Sequence, residues 1–204
     1  MPKQIVAPVA EDRRSAQGMI LLLVSLGIFF FSSLILYAIY VALRVAPQAG
    51  EIIPFYLPTS FILTTVVLIA ISTVLHLAVV AVSQERLNDL KRYIWVAFLL
   101  SLAFFGVQGS SLTWMIAQLL QPADTMQNLY GFTFFLVVVH ALHVIGGVAG
   151  LVFLLFGITK QRYDHERYFP VRFCAIYWHF LDVVWIIMLA CFALAAYVSK
   201  LPTA

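Results

Sequence analysis

Five stretches of this chain are long and apolar enough to cross a membrane as helices, and they take up most of its length. They run at about Gly18–Leu43, Phe55–Val82, Tyr93–Leu120, Tyr130–Thr159 and Phe173–Val198. A helix needs roughly 20 apolar residues to span the hydrocarbon of a bilayer. Most of the runs exceed that length, which implies tilted helices. The expected fold is therefore all-α: an integral membrane bundle of five transmembrane helices over residues 18–204, preceded by a polar tail at residues 1–17. Composition agrees. Of 204 residues, 63% are hydrophobic and 10% charged, where a soluble domain is roughly a quarter charged. A soluble fold with so much apolar surface would aggregate. The formal net charge of +3 is too small, and its basic residues too dispersed, to indicate a nucleic-acid partner.

Where the basic residues fall predicts the topology. Lys3, Arg13 and Arg14 lie in the tail, Arg86, Lys91 and Arg92 in the second connector, and Lys160, Arg162, Arg167 and Arg172 in the fourth. These three segments share one face, whereas the other face carries only Arg44 and Lys200. The positive-inside rule then puts the N-terminus in the cytoplasm, or its equivalent, and the C-terminus outside. The first run is too long for the apolar core of a signal peptide and lacks a convincing cleavage site, so it reads as a retained helix. All connectors are short, so consecutive helices are expected to be antiparallel neighbours. Arg86, Lys91, Arg92 and Arg172 are candidates to hold anionic lipid headgroups.

The two cysteines, Cys174 and Cys191, lie in one run, about 25 Å apart along a helix. That separation excludes an internal disulfide. Both read as small apolar packing residues. Gly146 and Gly150 form a small-xxx-small pair beside Gly147, a pattern that allows close helix packing.

Ionisable side chains inside spans are costly and point to function or to a specific partner. Asp182 is the one acid in any run, and His76, His140, His143 and His179 are the histidines. At about 1.5 Å rise per residue, His179, Asp182 and His76 lie about 9, 14 and 10 Å from the inner boundary. They form a candidate inner cluster. His179 and Asp182 share a helix face by their i,i+3 spacing. His143 and His140 lie about 24 and 29 Å deep, and Gln108 and Ser111 about 22 and 27 Å. These residues, with Ser110, form a candidate second polar layer. Asp182 is either ionised beside a histidine or protonated and hydrogen-bonded, and spacing does not choose between the two. His140-x-x-His143 has ligand spacing, but a haem or copper site needs further ligands at the same depth. Structural hydrogen bonding is favoured over metal ligation, and no cofactor is expected in this chain.

Three strings carry a family resemblance. The last run reads Tyr177-Trp-His-Phe-Leu-Asp-Val-Val-Trp185, the fourth His140-Ala-Leu-His143-Val-Ile-Gly-Gly147, and the second Ser72-Thr73-x-x-His76-x-Ala78. In order and spacing they resemble subunit III of the haem–copper terminal oxidases, in its compact five-helix bacterial form, from about Thr64 to Val198. The resemblance implies a non-catalytic subunit that lies mainly against subunit I, meets subunit II and other subunits, binds phospholipid, and supports assembly and proton uptake. Haem and copper would then belong to the partner subunits. Two positions depart from the family. An acidic site in its first helix falls here on Phe29, and a Gln-x-x-Glu pattern reads Gln108-Gly-Ser-Ser111. Other readings are an accessory protein of nitric oxide reductase, which has a subunit-III-like protein too, and a small transporter. Few helix breakers inside the spans and no internal repeat weigh against the transporter.

Overall fold

The computed structural model describes residues 10–48, 55–120, 125–160 and 169–201. Five long helices cross the apolar thickness: α1 (Ala10–Tyr40), α2 (Ser60–Ser83), α3 (Leu87–Leu119), α4 (Thr125–Thr159) and α5 (Phe169–Val198). Each is long and apolar enough to span a bilayer. In hydrocarbon a backbone N–H or C=O has no water to bond, so a helix is the form in which such a segment satisfies itself. The chain is thus a multi-pass membrane protein. An odd number of crossings puts the start of α1 and the end of α5 on opposite sides.

The helices outrun the apolar stretches. α1 begins inside the polar tail at Ala10, because Ala10, Glu11, Arg13, Arg14, Ala16 and Gln17 are all good helix formers. α2 begins at Ser60 rather than Phe55. Residues 55–58 are not helical, since Pro58 disfavours the helical region for the residue before it. At its far end, α1 widens into a π-turn over Val41–Val45, with the Ala46 N–H bonding the Val41 carbonyl, and then tightens over Ala46–Gln48. Pro47 accounts for this change. It has no N–H for the carbonyl four residues back, and its ring crowds that carbonyl.

α2 and α3 are joined by a tight reversal. Glu85 adopts φ 60°; its N–H bonds Val82 at 3.2 Å, and the Arg86 N–H bonds Ala81 at 2.9 Å. That pair of bonds is the Schellman cap. It forces α2 and α3 antiparallel. α3 packs on α4, α4 on α5, and α5 back on α2, so the four form a closed ring. α1 departs from the expectation of consecutive neighbours. It lies outside the ring, packed on α5 and reaching α4 at its outer end, with at most slight contact to α2. A short connector joins α1 to α2 without fixing which helix α1 packs on.

Within the bundle, Phe61, Leu68, Phe104, Trp178 and Trp185 are fully buried, and so is Phe192, which packs against Tyr37 of α1. Lipid tails are as apolar as these side chains, so close packing rather than expulsion of water holds the helices together. The glycine run on α4 provides the closest approach. A Cβ on Gly147 would sit 2.9 Å from Trp178 Cε2, on Gly146 3.3 Å from the Tyr177 hydroxyl, and on Gly150 3.6 Å from Cys174 Sγ.

Candidate functional site

Two polar regions lie within the apolar thickness, and they differ in how they meet the surroundings. The first is on the α2–α5 seam. Ser72, four residues before His76, directs its hydroxyl at α5, where Ser72 Oγ and His179 Nδ1 are 2.9 Å apart. The rings of His76 and His179 lie side by side, with centroids 6.3 Å apart. Asp182, one turn on from His179, is buried at 8% exposure. It lies within range of the Ser72 hydroxyl, while its Oδ1 has no hydrogen-bond partner. The structure therefore brings His76, His179 and Asp182 together, with Ser72 as the hub. The imidazole of His179 is half-buried, and that of His76 is exposed on the outer side of the seam.

The second region does not form the expected layer. Ser111 on α3 bonds Ser60 on α2, Oγ to Oγ 2.7 Å, and Ser110 bonds only its own helix at Val107. His143 Nδ1 donates to the Val139 carbonyl at 2.7 Å. Neither His140 nitrogen and neither Gln108 amide atom has a hydrogen-bond partner, although both residues are within 2% of complete burial. The expectation rested on depth alone, and helix face separates these residues. Ser111 points at α2. His140 points across α5 toward α1, with Trp185 and Phe30 at ring centroid distances of 5.1 and 6.2 Å. Phe29 and Phe30 also flank His143, at 6.5 and 5.2 Å. So Phe29 presents an aromatic ring to His143 of α4.

Several buried partners escaped the sequence. Trp185 Nε1 donates to Thr65 Oγ1 at 2.9 Å across the α2–α5 interface. Tyr177 donates to the His143 carbonyl at 2.9 Å. At the rim between α4 and α5, Tyr130 receives the Tyr56 N–H at 3.1 Å, and Ser199 receives the Phe55 N–H at 3.0 Å. Lys200 lies over the Tyr56 ring at 5.0 Å. The one available signal was an aromatic or hydroxyl residue close to each run boundary, where amphipathic rings settle at the membrane surface.

On the opposite, basic rim, Asp89 pairs with Arg86 at 3.6 Å and Arg92 at 3.8 Å. Exposed pairs of this kind are worth little to stability. Lys91 instead stands at the mouth of a groove of about 260 Å³ between α3 and α4, lined by Trp95, Phe98, Val152, Leu155 and Phe156. Arg172 is exposed near the start of α5. A larger groove, about 510 Å³, runs between α4 and α5 beneath Leu22 of α1, past Gly146, Gly150, Phe153 and Tyr177.

Among the described residues no group of three or more His, Cys, Asp or Glu side chains is placed to hold a metal ion. The pairs His76–His179 and His140–His143 lie on different seams, and among the described residues neither belongs to a group of three such side chains placed to hold a metal ion. What the arrangement offers is helix pairing and a partly open polar seam.

A model of the family described as cytochrome c oxidase subunit III matches residues 11–196. A protein of Thermostichus vulcanus named cytochrome c oxidase subunit 3 is 27% identical over 180 residues, 84% of this chain and 82% of that one. A probable cytochrome c oxidase subunit 3 of Nocardia farcinica is 28% identical over 123 residues, 60% of this chain and 59% of that one. The cytochrome c oxidase subunit 3 of Pan troglodytes is 29% identical over 191 residues, 89% of this chain and 69% of that one.

Proposed function

Because this chain belongs to the cytochrome c oxidase subunit III family, a subunit of a haem–copper oxidase, we propose that it acts there as a non-catalytic subunit. It lies against the haem-bearing subunit I, contacts subunit II, and supports assembly, phospholipid binding and proton uptake. It sits in a bacterial plasma membrane with its N-terminus inside. The match over residues 11–196 is the observation that carries this reading. The charge asymmetry of ten basic residues against two supports the orientation.

The phospholipid part has its own support. Lys91, at the mouth of the α3–α4 groove, would meet a phosphate at the headgroup level, and Trp95 lies among the apolar lining that suits an acyl chain. The proton part is supported by the titratable seam of His76, His179 and Asp182, whose hub is Ser72.

Deleting the chain tests the proposal. The core subunits should still reduce oxygen in the first turnovers, with a shorter working lifetime or a lower yield of complex. Immediate and complete loss of oxygen reduction in a correctly assembled core would refute it. Lys91→Gln should lower the phospholipid retained per complex after detergent washing; unchanged retention would remove the lipid part alone.

A further inference from the structure

We propose that the open α2–α5 face is the docking surface for a transmembrane helix of the neighbouring subunit, which presents a hydrogen-bonding side chain to His76. This rests on the reading of the chain as one subunit of an oxidase complex.

The face is a continuous stripe. On α2 it consists of Ile62, Val66, Ile69, Thr73 and His76, at alternating spacings of four and three residues, all exposed. On α5 it consists of His179, Val183, Ile186 and Ala190 at the same helical spacing, and Val183 and Ile186 are exposed. α1 packs on α5 beside this stripe, where Gly27 approaches Phe180, and leaves Val183 and Ile186 exposed.

One residue selects the occupant. His76 is seven residues from the end of α2, inside the hydrocarbon, and its side chain faces outward. Among the described residues no hydrogen bond reaches it; its neighbour is the ring of His179, which is engaged by Ser72. Other outward polar groups in the spans, Thr73, Ser110 and Thr113, bond carbonyls of their own helices. His76 makes no such bond, although an imidazole can, as His143 Nδ1 does to the Val139 carbonyl, and it is about two turns too deep to reach a headgroup directly. Ionisable side chains in membrane proteins face protein or a water-filled cavity rather than lipid tails. On the same seam, Asp182 Oδ1 also lacks a hydrogen-bond partner. A polar spot flanked by apolar rows matches one helix carrying one polar group. The α3–α4 side of the ring is different in kind: its groove is apolar along its length and ends at a lysine, which suits lipid.

Photo-crosslinking in the intact complex tests this. A benzophenone amino acid is placed singly at Ile69 or Val183 on the proposed face, at Leu99 or Phe153 across the ring, and at Leu21 on α1. After irradiation in native membranes, adducts with the haem-bearing subunit should arise from Ile69 and Val183 at least fivefold more than from the other three positions. Adducts confined to Leu99, Phe153 or Leu21 would overturn the assignment of the face and leave the subunit reading standing. No adduct with a haem-bearing subunit from any position would overturn both.

A pair of variants reports on His76 itself. His76→Gln should keep the chain bound, while His76→Leu should lower the amount retained per haem about threefold, as intramembrane hydrogen bonds of ~0.6 kcal/mol imply. Equal or greater retention of His76→Leu would show that the imidazole faces lipid and would overturn the proposal.

Discussion

Gly147→Ala isolates how tightly α4 is pressed against α5. The added Cβ would stand 2.9 Å from Trp178 Cε2 and 3.1 Å from Cζ2 and Nε1. Contacts that short force something to move. The indole is fully buried and rigid, so it cannot swing its end aside as a lysine would. Either the ring leaves its rotamer or the helices separate by several tenths of an ångström. Overpacking of this kind costs about 1–3 kcal/mol. Alanine also gains up to about 1 kcal/mol over glycine in helix propensity, which masks part of the cost. Gly109→Ala on α3 has the same gain with nothing within 4 Å of its Cβ. The difference between the two variants therefore reports the overpacking alone. At ~1.4 kcal/mol per factor of ten, it corresponds to a factor of about 5 to 150 in the ratio of docked to loosened chain. The assay is the fraction of this chain kept in the detergent-purified complex, measured against haem over a temperature series. Gly147→Ala should be lost first, Gly150→Ala should resemble wild type, and Gly109→Ala should be as stable or more so. Equal loss of the Gly147 and Gly109 variants would refute the close approach of α4 and α5.

Thr65→Val should destabilise by about 1–3 kcal/mol, because the buried Trp185 N–H loses its acceptor; thermal unfolding should show it, while Thr113→Val, whose hydroxyl serves only its own helix, stays near wild type. Asp182→Ala should reduce retention of the chain more than Asp182→Asn, which keeps the shape, and Asp182→Ala with His179→Ala should be less than additive because both side chains meet Ser72; full additivity in retention assays would show that they act separately. A reporter active only in the cytoplasm, fused after Ala204, should be silent; strong activity would overturn the orientation.

The fold was legible because bilayer crossing imposes a single rule on every span, and the lengths of the apolar runs state it directly. Helix ends were less legible. Ala10–Gln17 is polar, hence outside any apolar run, yet helical by propensity, and Pro58 delays α2 to Ser60. The position of α1 was not legible at all, since a short connector between spans does not determine which neighbour a helix meets. For the polar residues, rise per residue gave depth, which brought His76, His179 and Asp182 to one level. Depth carries no azimuth, and so the expected layer of Gln108, Ser111, His140 and His143 took no account of the helix face each occupies. Ser72 was visible within its string but not as a hub, because its role depends on the packing of α2 against α5.

The central claim is that this chain belongs to an oxidase complex while holding no redox centre of its own. The most direct measurement is purification through a tag on this chain in mild detergent, followed by intact-complex mass spectrometry with haem and copper quantified before and after dissociation. The account predicts one complex with haem and copper at fixed stoichiometry, all of which depart with the partner subunits and leave this chain free of metal. Isolation of this chain without haem-bearing partners, or one equivalent of metal that stays with it and is lost in a His140→Ala/His143→Ala variant, would contradict it.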